Sequence, residues 1–299
     1  MFLGSTAAPA LALFFNALVW GVSWWPLRQL QAMGLHPLWA TAFIYLLAAV
    51  LIGCWRPGAL RQVVGTSSLW WILLASGMGN AAFNWAVGVG DVVRVVLLFY
   101  LMPLWSLALA WLLLKERVTA GAVVRALLAV LGAALVLAGP AALAGATAAP
   151  PAVADILAVL SGFAFALNTV LLRRGAALPS EGRSLAMFLG GASVAGAAAA
   201  LLSAGTFSVM GKVAWPLVSV QWMLPVGALA MLFWASNRCL QYGAARLSAR
   251  VTAVVMSCEV VFASVSAVWW GDAVLNVGLV VGGCLVVSAA LAGVLSQRG

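Results

Sequence analysis

Charge is what this sequence has least of. Lys, Arg, Asp and Glu together make up 7% of its 299 residues, against about 25% in soluble domains. That scarcity excludes a fold with an ordinary water-facing surface. There is one histidine, His36, beside Pro37 at the edge of an apolar run, so His-based metal or triad chemistry has no second imidazole to use. Cys54, Cys239, Cys258 and Cys284 are scattered through apolar runs with no C-x-x-C, which excludes a zinc site or a disulfide framework. The first ten residues carry no Lys or Arg, so the basic region of a cleavable signal is missing, and the first apolar stretch is expected as a retained helix. The net charge of +9 does not point to nucleic acid, because the basic residues stand singly or in twos and form no stripe. Gly205 to Lys212 resembles a P-loop with one residue too many and Val213 after the lysine, so direct nucleotide drive is not expected. No residue set calls for a cofactor.

What the chain does have is apolar length. Hydrophobic residues make up 66% of it, and the mean hydropathy is +1.14. A spanning helix needs ~20 mostly apolar residues. Runs of that kind fall near 9–27, 37–55, 69–88, 92–114, 121–139, 153–172, 184–203, 219–240, 249–270 and 275–295. They are continuous where barrel strands would alternate, so an all-α integral membrane protein with ten transmembrane helices is expected. With the N-terminus inside, twelve Lys and Arg fall on the cytoplasmic side and Arg28, Arg94 and Lys212 on the outer side. Both termini are therefore expected in the cytoplasm of a cell whose inner membrane holds the chain.

The ten runs also repeat. Asn16, Trp20, Ser23 and Arg28 have counterparts 145 positions on in Ser161, Phe165, Asn168 and Arg173. At a lag of 156, Arg94 meets Arg250 and Glu116 meets Asp272. These matches divide the chain into a first five-helix set (1–139), a small, Pro-rich linker (140–152) and a second set (153–299). Five is odd, so the second set must cross the membrane in the opposite sense. Inverted repeats of this kind enclose a central cavity near the midplane.

Pro103-Leu104-Trp105, followed by Ala110 to Thr119 with its Lys115-Glu116-Arg117 turn, resembles the end of an EamA-type repeat. Glu259-Val260-Val261-Phe262-Ala263 with Gly271-Asp272 resembles the same element in the second half, and Trp20-Gly21 with Ser23 resembles the opening of the first. The departures are Val260 in place of proline, Asp272 in place of Glu, and Lys115 in place of glycine. The resemblance is to the ten-helix branch of the drug/metabolite transporter superfamily. It implies export of small metabolites, and the fifteen tryptophans suggest similarity to aromatic amino-acid exporters.

Glu259 is the sharpest single signal, an acid near the middle of the ninth run where burial in lipid costs roughly 2.5–3.5 kcal/mol. It reads either as a substrate anchor or protonated coupling group, or as a neutral acid bonded to a neighbouring helix. Asn80 and Asn84 share one face of the third run. Asn168 on the sixth and Ser23 on the first add polar groups that lipid cannot satisfy. Trp20, Tyr100, Phe163 and Phe165 lie within helices, and Pro103 breaks the backbone ladder near the midplane. Together these residues suit a small-molecule substrate with a polar head and an apolar body. Each taken alone reads equally as helix glue or packing. Arg94 and Arg250 are expected as interfacial snorkellers. Gly278 and Gly282 allow close helix approach, either in a homodimer or within one chain.

The expected function is secondary transport of small organic metabolites, foremost amino acids with hydrophobic or aromatic side chains. A membrane-embedded enzyme would need a nucleophile and base, for which Glu259 with Ser257 or Ser264 is the nearest set. A sensor that binds without moving its ligand is the third reading.

Overall fold

The computed structural model describes residues 3–115, 119–143, 152–175, 177–205, 213–244, 246–247, 255–256, 258–271 and 277–295. Among them all regular structure is helical: α1 (Leu3–Val22), α2 (Trp24–Ala32), α3 (Pro37–Trp55), α4 (Gly58–Gly65), α5 (Ser67–Val89), α6 (Val92–Phe99), α7 (Met102–Leu114), α8 (Ala120–Leu143), α9 (Val153–Arg174), α10 (Ser180–Ser203), α11 (Val220–Ala244), α12 (Cys258–Trp270) and α13 (Val277–Leu295). Glu116, Lys212, Arg250, Ser257, Asp272 and residues 144–151 of the linker lie outside the described residues.

Among the described residues, seven stretches are long and apolar enough to cross a membrane: Ala7–Ala32, Pro37–Trp55, Ser67–Val89, Val92–Leu114, Val153–Arg174, Ser180–Ser203 and Val220–Ala244. They coincide with seven of the ten runs. The other three runs are helical over Ala120–Leu143, Cys258–Trp270 and Val277–Leu295. This is a multi-pass membrane protein.

Two runs that read as single helices are broken. The first bends at Ser23, whose hydroxyl donates to the Trp20 carbonyl at 2.8 Å, and continues as α2 to Ala32. The fourth breaks at Tyr100–Leu101, and Pro103 stands in the first turn of α7, where a missing N–H costs least. Hydropathy registers neither break, because both flanks are equally apolar. α7 and α12 end at Leu114 and Trp270, separated by the same lag of 156 positions that relates Arg94 to Arg250. Glu259 lies on α12, and Val255 and Met256 before it are also helical.

Helix starts follow from capping. Asp91 accepts from the Arg94 backbone N–H at 2.7 Å and opens α6, separating it from α5 as the Gly88–Asp91 punctuation predicts. His36 Nδ1 accepts from the Leu38 N–H at 3.2 Å, with Pro37 at the first helical position of α3. Burial lowers the His36 imidazole from its usual 6.5 to about 4, so near neutral pH it carries no charge and stays an acceptor. A depressed folded-state value means stability is full above pH 6.5 and is lost as pH falls toward 4. The melting temperature should therefore drop across that window. His36→Asn, which keeps a cap but cannot protonate, should flatten the drop, as a pH series of thermal melts would show.

Contacts between the two halves come in matched pairs. α1 runs antiparallel to α11: Leu13 meets Gly243, Asn16 bonds Ser236 and Trp20 meets Phe233. In the same way α5 runs antiparallel to α9, with Gly79 beside Ala164 and Gly90 against Ala154. α1–α2 lies parallel to α12 through Gly21–Phe262, Trp24–Ser266 and Trp25–Trp270. α6–α7 lies parallel to α9 through Arg94–Asp155 and Phe99–Gly162. Other cross-half packings join helices at equal places in the two sets, α3 on α10, α6 on α12 and α8 on α13, while α3 also packs on α11 and α4 on α10. α5 and α10 run parallel and touch backbone to backbone where Gly77 faces Gly190.

Gly278 and Gly282 are buried within the chain on α13, which packs chiefly along α8.

Candidate functional site

Polar groups in a membrane bundle must find partners inside it. The largest such gathering centres on α5. The Tyr45 hydroxyl of α3 donates to Asn80 Oδ1 at 2.6 Å. The Asn80 amide donates to the Ser76 carbonyl at 2.8 Å and to its hydroxyl at 3.2 Å, and Ser76 in turn donates to the Met187 carbonyl of α10 at 3.3 Å. One turn on, Asn84 donates to Thr41 Oγ1 at 3.1 Å, while its Oδ1 is buried without a hydrogen-bond partner among the described residues. The shared face expected for Asn80 and Asn84 is thus turned toward α3.

Aromatic rings line the same place. Tyr45 meets Phe188 of α10 at 5.5 Å and Phe233 of α11 at 6.0 Å between ring centroids. Phe233 stacks on Trp20 of α1 at 4.9 Å. Trp20, Tyr45, Asn80, Phe188 and Phe233 therefore join five helices drawn from both halves. Trp20 and Asn80 are half-buried, and Asn80 presents only uncharged polar groups. Such a set has the chemistry to hydrogen-bond a polar head and stack an apolar body.

Glu259 reaches the edge of this group through the backbone. A Cβ on Gly21, next to Trp20, would stand 2.8 Å from the Glu259 carbonyl and 2.6 Å from the Phe262 side chain. Only glycine lets α1 and α12 approach so closely. Glu259 also lies within electrostatic range of Tyr100, which is buried at the break after α6. Glu259 thus lies near Gly21, the neighbour of Trp20, through its backbone and near Tyr100 through its charge.

Other expected residues fall elsewhere. Phe163 is edge-on to Trp105 at 5.6 Å, in a small apolar cluster between α7 and α9. Phe165 is 44% exposed and touches Phe99. Asn168 is buried on α9, with Oδ1 unpartnered among the described residues. The Ser23 hydroxyl is occupied by the bend in α1–α2. Pro103 marks the start of α7.

Sequence reading missed Tyr45, Phe188, Phe233 and Thr41. Tyr45 had a signal, since it is one of three tyrosines and stands in mid-run. Arg94, expected as an interfacial snorkeller, has a partner at the start of α9. Its guanidinium holds Asp155 of α9 by two bonds, Nε–Oδ1 at 2.7 Å and Nη2–Oδ2 at 3.0 Å. Asp155 also accepts from the Ala152 N–H at 2.9 Å, tying the start of α9 to α6. Nearby, Arg28 donates to the carbonyls of Val87 and Gly90 and ties α2 to the end of α5. Asp155→Asn should cost about 2 kcal/mol, less than a fully buried pair because the Arg94 side chain is 27% exposed. Chemical or thermal denaturation of the purified variant measures this, and an unchanged melting temperature would contradict it.

Residues 8–138 match the model of the EamA-like transporter family. That match covers the first five helical runs. A solved crystal structure of a protein is similar over 98% of this chain and 98% of its own, with a TM-score of 0.59 and 19% identity. At that identity the likeness concerns the fold, and it extends through the second half beyond the EamA-like region. No curated protein matches the sequence.

Proposed function

We propose that the chain is a secondary transporter of small organic solutes, built from two five-helix repeats of opposite orientation, 1–139 and 153–299, joined by 140–152. The observation that carries this reading is the direction of packing across the halves. The third run (α5) and the seventh (α10) are parallel, and the antiparallel and parallel pairings of α1 with α11 and α12 reappear as those of α9 with α5 and α6–α7. Exchanging the two sets maps one group of contacts on the other, as a two-fold axis in the membrane plane would. The EamA-like match over 8–138 supports the boundary and the transport chemistry.

The solute would bind between Trp20, Tyr45, Asn80 and Phe233, and the halves would open to each face in turn. Amides and aromatic rings favour amino acids with hydrophobic or aromatic side chains. The outward direction, the inner membrane and the cytoplasmic termini follow from the family resemblance and the distribution of arginine. Burial of Gly278 and Gly282 within the chain favours intrachain packing over a dimer seam.

The test is counterflow in proteoliposomes holding the full chain, with a panel of labelled amino acids and other metabolites. Saturable counterflow of hydrophobic or aromatic amino acids is expected. Movement of charged solutes alone would overturn the substrate class. No movement of any solute would remove the transport reading.

A further inference from the structure

Away from the seam, α3 and α11 leave between them a recess of about 220 Å³ lined by Leu51, Trp55, Met231 and Trp234. All four linings are apolar side chains, and Trp55 and Met231 are each 50% exposed. The two indoles stand 5.6 Å apart. Above them lie two cations. The Arg238 guanidinium sits 4.4 Å from the Trp55 ring centroid and 5.8 Å from that of Trp234, while Arg56 sits 5.6 Å from Trp55.

Two guanidiniums on one indole repel each other unless an anion comes between them. Among the described residues neither has a carboxylate within ion-pair distance. Glu181 lies within electrostatic range of both and offsets one of the two positive charges, its carboxylate also accepting from the Ser180 hydroxyl at 3.2 Å. The rim therefore keeps an excess of positive charge. Arg56 caps the C-terminus of α3, where a membrane-spanning helix meets the headgroups.

We propose that this recess binds one anionic phospholipid of the surrounding bilayer. The acyl chain lies along Leu51, Trp55, Met231 and Trp234, and the phosphate is held between Arg56 and Arg238. Guanidinium forks match phosphate oxygens, and an apolar recess open toward lipid has nothing to hold a water-soluble solute. Basic residues at a membrane surface select anionic headgroups in the same way. The site is separate from the Trp20–Asn80 seam and does not depend on transport.

The experiment uses the purified full chain in neutral detergent, melted with phosphatidylglycerol, phosphatidylcholine or inorganic phosphate. Phosphatidylglycerol should raise the melting temperature saturably by a few degrees, and the other two should not. The double variant Arg56→Gln/Arg238→Gln should lose at least half of that rise. Equal shifts with both lipids would mean unselective contact, and an equal shift with phosphate alone would mean a water-phase anion site. A full rise in the double variant would place the lipid elsewhere. Each of these outcomes overturns the proposal. Quenching of wild-type tryptophan fluorescence by bromine-bearing lipids needs no arginine variant. Phosphatidylglycerol should quench more than phosphatidylcholine at equal mole fraction, and the double variant Trp55→Phe/Trp234→Phe should remove the difference. Equal quenching in the wild type, or a difference that survives Trp55→Phe/Trp234→Phe, would contradict the site.

Discussion

Gly190→Val should leave little or no folded protein. At that position a Cβ would drive into the Leu73 carbonyl and the Gly77 backbone on α5. Neither atom can swing aside as a flexible side chain would. The parallel α5–α10 contact would have to open along its length, exposing the Ser76–Met187 bond beside it. Overpacking a core ordinarily costs about 1–3 kcal/mol, and a clash with helix backbone belongs at or above the upper end. The expected readout is loss of the monodisperse peak on size exclusion after extraction. Gly196→Ala on the same helix is the control, because its Cβ meets only the Ala42 side chain at 3.6 Å, an ordinary contact distance. A well-folded Gly190→Val protein would mean that α5 and α10 are not in backbone contact.

Asn80→Ala should lower solute flux at least tenfold while the protein still folds. The change takes away the acceptor for Tyr45 and two donors to Ser76, and with them the polar centre of the seam. A tenfold loss corresponds to ~1.4 kcal/mol of lost binding, the scale of one hydrogen bond to a bound solute. Tyr45→Phe keeps the ring against Phe188 and Phe233 and removes only the hydroxyl, so a smaller loss is expected. Asn16→Ala separates binding from packing. Asn16 spends its amide on Ser236, at 3.0 Å to the carbonyl and 2.6 Å to the hydroxyl, and is fully buried. Losing it should lower the melting temperature with little change in flux per folded molecule. Counterflow normalised to the folded fraction distinguishes the three variants. Equal flux in wild type and Asn80→Ala would place the binding site elsewhere.

Much of the architecture is legible without coordinates because lipid imposes simple rules. An apolar run of spanning length has to be a helix, so seven runs reappear as spans with ends close to those expected. The Asn80/Asn84 pair is also legible, since two amides four apart in lipid must turn inward. The breaks at Ser23 and Tyr100–Leu101 are not, because a bend is set by local hydrogen bonding that hydropathy does not register. Tyr45 and Phe233 escaped notice because they count as apolar in any run, and only tertiary packing brings them onto Asn80 and Trp20. Asp155 stood alone at a helix start, where an acid normally serves the helix end. Nothing within its own run points to Arg94, 61 residues earlier. Polar residues in mid-run announce themselves, whereas partners contributed by another helix do not.

The proposal that the two halves have opposed orientation is tested most directly by the side from which equivalent turns are reached. Gly34 lies between the first and second helical runs, and Leu178 between the sixth and seventh, the same place in each set. Single cysteines at these positions, in a chain whose four native cysteines are replaced by serine, would be treated in intact cells with a membrane-impermeant maleimide. Labelling at 34 from outside, with 178 reacting only after the cells are opened, is the predicted result. Labelling of both positions from the same side would mean that the halves point the same way, and the shared seam between inverted repeats would have to be abandoned.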